Sequence, residues 1–594
     1  MRRRGNADEG LEDLASMPFS KLEGKVYEDL DKRRSGKRMR FDLPIFSIKT
    51  SHVNLAGLNI LESYTVGPST IYITEEYEYL MHDPPLTPEE RKKLTDVASK
   101  LLFLMPTSVV NDEKKFDEYL EKAGLRDGRF NYFLKREILG YGPLEPLVMD
   151  PRVEDIVVAS SVNPVSCMHS DYGTMPTNIL FTLEEMDRYV EKLVHLSGKS
   201  VSLYRPLLSI RLPNGGRLSA SYKREVSPEG SNFIIRKFPE KPWSITSLML
   251  LNTIPPEMAA WLMLLEEHRK AFLVCGAMGT GKTSLINALC NLIPERSVIV
   301  TIEDTPELRL AHPNRFSLVV RESATLDDKG EIGMFALVKE ALRMSADYII
   351  VGEVRGEEGR IWAQAIMTGH GGITSLHAEN PHAALERLLS PPISVERGAL
   401  KSLSGIVSVG KLVLRTKGKL VQRRRALNFY DLGGNLELAP LFDYNYEADS
   451  FSYNEESITA SNTARRIIME SGLSGDALLE KYLQRVEFLR RLGETSRLRP
   501  EFREYLAVTK AIWAFQSCPE DFDPESAVIA GDGALRSQER LAEETCNDRG
   551  RRYPIPLPIL QRLRHDGQDP AAEPENIKGW QRKRSDRSSR DGST

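Results

Sequence analysis

Short apolar runs alternate with amphipathic stretches through the middle of the chain. Four of these runs, at residues 271–275, 297–302, 347–352 and 372–376, have the length and composition of strands that are buried on both faces. The segments between them have the pattern of helices. Strands and helices that alternate in this way predict an α/β domain built on a parallel sheet, here over residues 249–517.

A smaller domain is predicted before this one. Short β-rich runs separated by turn residues, such as those at 213–216, favour an α/β domain over residues 126–238. Residues 239–248 start with a proline-flanked segment and are interpreted as a linker. Residues 41–125 form an N-terminal extension, in which residues 87–90 (Thr-Pro-Glu-Glu) are typical of a helix start.

The two ends of the chain are polar. Residues 1–40 are rich in charge and predict a flexible basic arm, and residues 518–594 predict a disordered tail because Pro, Asp, Arg and Ser dominate there. For the arm, a solvated linker is favoured over contact with a membrane surface or a partner. Between the sheet domain's last parallel strand and the tail, the pattern favours hairpin strands up to residue 443 and then two amphipathic helices, near 461–472 and 475–492.

Composition limits the classes of function. A chain of 594 residues is too long for one compact core. Its 80 basic and 84 acidic residues give a net charge of -4, which offers no general argument for nucleic acid as the main partner. The five cysteines are widely spaced, which argues against a disulfide framework or a zinc module and favours the cytoplasm. No run has the length of a membrane span, so a membrane role would need a partner.

One glycine-rich stretch has the composition of a phosphate-binding loop. It follows an apolar run and precedes a helical pattern, and its glycines allow a tight turn whose backbone N–H groups can point at an anion. Lys282 would place a positive charge beside the β- and γ-phosphates, and the Thr283 hydroxyl could bind Mg²⁺. The alternative is a chance match to G-x-x-x-x-G-K-[ST]. The candidate nucleotide-binding residues are Gly276, Ala277, Met278, Gly279, Thr280, Gly281, Lys282, Thr283 and Ser284.

Carboxylates end two of the apolar runs. Glu353 follows one run, where an acid could reach Mg²⁺ beside the phosphate loop, although it could also be an ordinary acid at a strand end. Glu303 and Asp304 end another run, and Glu307 lies close by. Two carboxylates at one strand end repel each other unless they are solvated or face a cation. Glu303 is therefore interpreted as catalytic, with helix capping by Asp304 as the alternative.

Two histidines flank the last apolar run. His370 follows one glycine and precedes two more, where the backbone could approach a phosphate closely, and His377 ends the run. A lone histidine is usually structural. Their spacing alone leaves a structural role and a phosphate contact equally open.

Four segments stand in the order of the motifs of the secretion ATPase superfamily. They resemble its Walker A motif, aspartate box, Walker B motif and histidine box, at residues 276–283, 301–308, 352–356 and 368–379. The chain is most similar to the archaeal branch that powers assembly of type IV pili and archaella, because two stretches before residue 240 also resemble that branch. The resemblance extends from about residue 60 to about residue 515. The late four-cysteine zinc module of the bacterial type II enzymes is missing from the sequence.

This resemblance implies a fold and a set of roles. The fold would be a RecA-like P-loop NTPase domain preceded by a smaller, PAS-like α/β domain, with six copies in a ring and ATP between neighbours. Glu303 would be the general base, Glu353 would support Mg²⁺, and His370 and His377 would sense the γ-phosphate. The family also places arginines around the phosphates, some from a neighbouring N-terminal domain. The candidates are Arg211, Arg217 and Arg236, with Arg309 or Arg343 as further ones.

The predicted function is a hexameric motor that hydrolyses ATP with Mg²⁺. It would bind the cytoplasmic face of a polytopic membrane platform protein and drive the extrusion of pilin-like subunits. Its expected location is the cytoplasm, at the inner face of the cell membrane. One alternative is a nucleic-acid translocase, for which the near-balanced charge gives no sign of a basic channel. Another is a nucleotide-gated scaffold with little turnover.

Overall fold

The computed structural model describes residues 48–104, 113–122, 125, 127–238, 241–321, 330–416 and 419–519. All of them fall in the first of two compact units of the chain, which ends at Val528. The predicted basic arm, nearly all of the predicted tail and residues 239 and 240 of the predicted linker lie outside the described residues. Within the described part, no helix is long and apolar enough to cross a membrane.

The N-terminal part contains two antiparallel sheets, one of three strands and one of six strands in the order β6-β5-β4-β9-β8-β7. The strands are β1 (Ile60–Val66), β2 (Ser69–Thr74), β3 (Tyr79–His82), β4 (Val153–Val158), β5 (Ser166–His169), β6 (Gly173–Pro176), β7 (Leu207–Arg211), β8 (Arg217–Ser221) and β9 (Asn232–Arg236). The helices are α1 (Pro88–Leu104), α2 (Glu113–Lys122), α3 (Gly128–Ile138), α4 (Glu145–Met149) and α5 (Leu183–Leu196).

The two N-terminal sheets share one apolar core. In the six-stranded sheet, buried and more exposed residues alternate along β8 and β9, so each strand has one apolar face. Tyr189 of α5 stacks on Phe233 of that face, with ring centroids 5.5 Å apart. Ile71 and Ile73 of β2 belong to the same core. Strands of the predicted extension therefore pack with the predicted smaller domain.

The C-terminal part is a nine-stranded sheet with helices. The strands are β10 (Ala271–Gly276), β11 (Ile299–Glu303), β12 (Arg315–Val319), β13 (Tyr348–Val351), β14 (Gly371–His377), β15 (Leu403–Thr416), β16 (Lys419–Leu432), β17 (Leu438–Asn445) and β18 (Ser450–Tyr453). The helices are α6 (Ile245–Leu250), α7 (Pro256–Glu267), α8 (Lys282–Leu289), α9 (Met334–Ala341), α10 (Glu358–Met367), α11 (Pro381–Leu389), α12 (Arg397–Leu400), α13 (Glu455–Thr459), α14 (Asn462–Ser471), α15 (Gly475–Leu498) and α16 (Tyr505–Ser517).

The sheet has a parallel and an antiparallel section. Its order is β12-β11-β13-β14-β10-β15-β16-β17-β18, and the pairs from β12 to β15 are parallel. Successive residues of β10 lie in different cores: Phe272 and Val274 in one, Leu273 and Cys275 in another. The predicted α/β fold around a parallel sheet buried on both faces is confirmed. Because these strands are parallel, their carboxyl ends meet at one edge of the sheet.

Candidate active site

The glycine-rich stretch forms a tight turn between β10 and α8. Gly279 and Gly281 have φ angles of 73° and 92°, which favour glycine over residues with a side chain. A Cβ at Gly276 would lie 2.4 Å from the backbone oxygen of Val409, so the loop also needs glycine for close packing on β15. The turn ends at the first residue of α8, where free backbone N–H groups favour an anion.

Lys282 closes the loop. Its Nζ donates to the backbone oxygens of Gly276 and Ala277, at 2.9 Å each, and lies 3.1 Å from Nδ1 of His377. The side chain is buried, and this burial lowers the pKa of Lys282. The Thr280 hydroxyl donates to the same Ala277 oxygen at 2.9 Å. The loop therefore holds a cationic side chain next to the N–H groups at the start of α8.

Glu303 lies at the carboxyl end of β11 and is 3% exposed. Its Oε1 accepts hydrogen bonds from the backbone N–H groups of Glu307 and Leu308, at 2.9 Å each. Its buried Oε2 has no hydrogen-bond partner among the described residues. Burial raises the pKa of Glu303 to about 7, although the two N–H groups act in the opposite direction. A carboxylate with a pKa near neutrality and a free oxygen can accept a proton.

Glu353 and His377 form a chain of polar contacts with Lys282. The Glu353 Oε1 lies 3.1 Å from Nε2 of His377, while Lys282 faces the other ring nitrogen. An ammonium group can only donate, so Nδ1 accepts and the proton sits on Nε2, where it is donated to Glu353. Burial lowers the pKa of His377, which agrees with a neutral ring. The imidazole thus links the phosphate loop to the acid at the end of β13.

His370 lies at the other end of β14. The strand from Gly371 to His377 is extended, so the two histidines are roughly 20 Å apart at 3.3 Å per residue. The His370 Nδ1 lies 3.0 Å from both the Ala365 backbone oxygen and the Thr368 hydroxyl. Within one chain, His370 therefore lies outside the group around Lys282, and a phosphate-sensing role for it stays a prediction.

Three arginines of the smaller domain form one cross-strand row. Arg211 of β7 pairs with Arg217 of β8, which pairs with Arg236 of β9. The row lies beside the phosphate loop of its own chain, since the Arg236 guanidinium reaches 4.0 Å from the Met278 sulfur. We call these three residues the arginine row. The arginine row therefore lies next to the phosphate loop of the same chain. The resemblance also allows these arginines to be contributed by a neighbouring subunit.

Glu307 lies between the arginine row and Thr283 of the phosphate loop. Burial raises the pKa of Glu307, whereas the Thr283 hydroxyl and the charges of Arg236 and Arg217 lower it. Thr283 therefore faces a carboxylate group. An oxygen-rich surrounding of this kind, with Glu353 on the adjoining strand end, fits a hard cation such as Mg²⁺.

The remaining candidate arginines differ in position. The guanidinium of Arg309 lies 3.7 Å from where a Cβ on Gly215 would be, and that of Arg211 lies 3.9 Å from the same point. Arg309 thus lies near one end of the arginine row. Arg343 pairs with Glu340, at 3.3 Å, after the end of α9. It precedes β13 and therefore lies toward the opposite edge of the sheet from the phosphate loop.

Sequence reasoning did not single out two arginines that contact the site. Arg355 bridges two strand ends, with 2.7 Å contacts to both Glu353 and Asp304. Its place two residues after Glu353 was a usable signal. Arg424 donates from Nε to the Gly279 backbone oxygen at 3.1 Å. No local pattern reveals that contact because the two residues are 145 positions apart.

Residues 145–471 match the family described as type II/IV secretion system protein. The match covers more than half of the chain, and the chain belongs to this family. The earlier resemblance to the secretion ATPase superfamily is confirmed.

Three proteins to which this chain is similar differ in how they are described. A protein of Methanocaldococcus jannaschii described as uncharacterized is 33% identical over 430 residues, which is 65% of this chain and 76% of that protein. Type IV secretion system protein PtlH of Bordetella pertussis is 31% identical over 275 residues, 41% of this chain and 80% of that protein. The crystal structure of the VirB11 ATPase from the Brucella suis type IV secretion system, in complex with sulphate, is 24% identical with a TM-score of 0.23 and covers 50% of this chain and 94% of that chain.

Proposed function

We propose that the protein is the ATP-hydrolysing motor of a type IV pilus-like or type II-like secretion machine. One observation carries the proposal: Lys282, Glu303 and Glu353 meet at one edge of a parallel sheet, opposite the arginine row. The chain belongs to the type II/IV secretion system family, and this membership supports the proposal that the motor is part of a secretion or pilus machine.

The site contains groups that could bind the nucleotide phosphates and the Mg²⁺ that accompanies them. The N–H groups of the glycine-rich turn and the start of α8 would surround the phosphates, and Lys282 would exchange its loop carbonyls for phosphate oxygens. Thr283 and Glu353 would hold Mg²⁺, and a bound Mg²⁺ supplies positive charge that neutralises the phosphates. The arginine row would add charge where the transition state becomes more negative.

Glu303 would act as the general base. Its free Oε2 would accept a proton from the attacking water, and its pKa of about 7 suits proton transfer near neutral pH. The bonds from the N–H groups of Glu307 and Leu308 hold the carboxylate in place. His377 contacts both Lys282 and Glu353, so a movement of Lys282 would be transmitted to Glu353 through the His377 ring.

The motor would work as a ring of six copies on the cytoplasmic side of a polytopic membrane platform protein. Family membership and a relative from an archaeon support a pilus or archaellum system. Closure and opening of the smaller domain against the sheet domain would convert ATP turnover into movement of pilin-like subunits.

The test is ATP hydrolysis by Lys282→Ala. We expect phosphate release to fall about a hundredfold or more, because the variant loses the cation beside the β- and γ-phosphates. Lys241→Ala is the matched control, since Lys241 is exposed and pairs with Glu504. A specific rate that rises with protein concentration would support shared sites in a ring. Wild-type protein that binds ATP without turnover would instead favour the nucleotide-gated scaffold.

A further inference from the structure

One arginine contacts both the phosphate loop and the smaller domain. Arg424 lies on β16, and its Nε donates to the Gly279 backbone oxygen at 3.1 Å. Its Nη2 lies 2.6 and 2.7 Å from the two carboxylate oxygens of Glu154 on β4. We infer that Arg424 is a positioning residue that holds the arginine row over the phosphate loop through Glu154. This inference rests on the proposed ATPase function.

The sheet fixes Arg424 relative to the loop. β10, which leads into the loop, pairs with β15, and β15 pairs with β16 over a long antiparallel ladder. A Cβ at Gly281 would lie 3.0 Å from Cδ of Arg424, so glycine at this position leaves room for the arginine stem. A carbonyl that accepts from Arg424 is also kept from turning toward an anion, so the bond favours a loop whose N–H groups are available to phosphate.

Charge complementarity supports a contact between the two domains at this point. Lys411 of β15 is the register partner of Arg424, so two cationic side chains stand next to each other. Burial lowers the pKa of Lys411, the charge of Arg424 lowers it further, and Glu154 and Asp155 raise it. The β15–β16 pair therefore presents two cations to two consecutive carboxylates of the smaller domain.

Glu154 is directly connected to the arginine row. The next residue, Asp155, pairs in register with Arg236 and accepts from its Nε at 3.1 Å. The backbone oxygen of Glu154 accepts from the N–H of Lys237 at 2.8 Å. A contact that fixes Glu154 thus fixes the end of β9, and the ladder from β9 through β8 carries that position to Arg217 and Arg211.

A neighbouring ion pair offers a matched control. Arg423, next on the same strand, pairs with Asp171 of the smaller domain at 2.6 Å, and the Gln422 N–H donates to the Asp171 backbone oxygen at 2.7 Å. Among the described residues, the Arg423 guanidinium donates to Asp171 and to the Gln422 backbone oxygen, and neither residue belongs to the phosphate loop. It therefore joins the same two domains without the loop contact.

The experiment compares Glu154→Gln, Arg424→Ala and the double variant in the full chain. For Glu154→Gln we expect kcat to fall about tenfold, while the affinity for a fluorescent ADP analogue changes less than about threefold, because the loop itself is intact. Arg424→Ala should lower kcat at least as much and also weaken the affinity. The double variant should be no slower than Arg424→Ala, because Glu154→Gln and Arg424→Ala break the same contact between Glu154 and Arg424. Arg423→Ala should lower kcat less than about threefold.

A second readout separates this inference from the proposed function. Hydrogen exchange of the backbone over residues 207–236 should become faster in Glu154→Gln and stay unchanged in Arg423→Ala, whether or not ATP is hydrolysed. A wild-type protein without ATPase activity would overturn the proposed function. Unchanged exchange and kcat in Glu154→Gln, or a loss in Arg423→Ala as large as that in Arg424→Ala, would overturn the role of Arg424.

Discussion

Two buried glutamates lie in different regions of the C-terminal part and differ in what surrounds their carboxyl groups. Glu303 lies at the sheet edge, where two backbone N–H groups donate to one oxygen. Glu266 of α7 is fully buried, and neither of its carboxyl oxygens has a hydrogen-bond partner within the described residues. Burial raises the pKa of both groups, that of Glu303 to about 7 and that of Glu266 well above its usual value.

The difference shows that burial alone does not make a general base. Without donors that favour the charged form, burial raises the pKa of a carboxyl group well above its usual value, as at Glu266, where the like charge of Glu267 acts in the same direction. The N–H groups at Glu303 limit the rise of its pKa and leave it able to exchange a proton near pH 7. We therefore propose Glu303, and not Glu266, as the general base.

The largest expected effect separates the two residues by activity. Glu303→Gln should lower kcat for ATP hydrolysis by about a hundredfold to ten-thousandfold, because the amide cannot accept the proton. Glu266→Gln should keep kcat within about threefold of wild type. Steady-state phosphate release measures both. Equal losses in the two variants would mean that burial, and not position, explains the effect.

The pH dependence of kcat sharpens the comparison. Below pH 7 Glu303 becomes protonated, since its pKa is raised to about 7, so kcat should fall about tenfold per pH unit on the acid side. Glu266→Gln should show the same acid limb. A wild-type profile that stays flat from pH 7 down to pH 5.5 would argue against Glu303 as the base.

The smallest effect is on stability. Above a pH of about 4.5, the folded state keeps protons on Glu266 and Glu303 that the unfolded state has lost. The free energy of unfolding therefore falls as pH rises, by up to about 1.4 kcal/mol per unit for each group, until the pKa of that group in the folded state is reached. Glu303 should contribute only up to about pH 7.

Urea unfolding of the two Gln variants at several pH values, each compared with wild type, measures this contribution. The gain in stability of Glu303→Gln over wild type should grow from about pH 4.5 to about pH 7 and level off there. That of Glu266→Gln should also grow as the pH rises above about 4.5. A gain for Glu303→Gln that stays constant between pH 5 and pH 7 would contradict the raised pKa of Glu303.

The buried strands could be predicted from sequence because their runs are continuously apolar. The runs around residues 271–275 and 347–352 are confirmed as β10 and β13. The edge strand β12 was not predicted. It pairs with one neighbour and is mostly exposed, so neither a long apolar run nor a clear alternation marks it.

The part of the candidate site that lies at the strand ends could be predicted from the sequence. Glu303 and His377 end strands of a parallel sheet, and such ends converge whatever lies between them. His370 precedes its strand, so the same rule places it at the other edge. The contact between Arg424 and Gly279 depends on the pairing of β15 with β16 and of β15 with β10, which no local pattern specifies.

The arginine row also has a consequence for folding. Neighbouring positions along its strands, such as Ile210, Leu218 and Ile235, are buried in the apolar core. Because side chains alternate between the two faces of a sheet, shifting one of these strands by a single residue would turn an arginine into that core and expose an aliphatic side chain. A mispaired sheet would therefore be costly, and the charges beside the phosphate loop help the strands find their correct alignment while the chain folds.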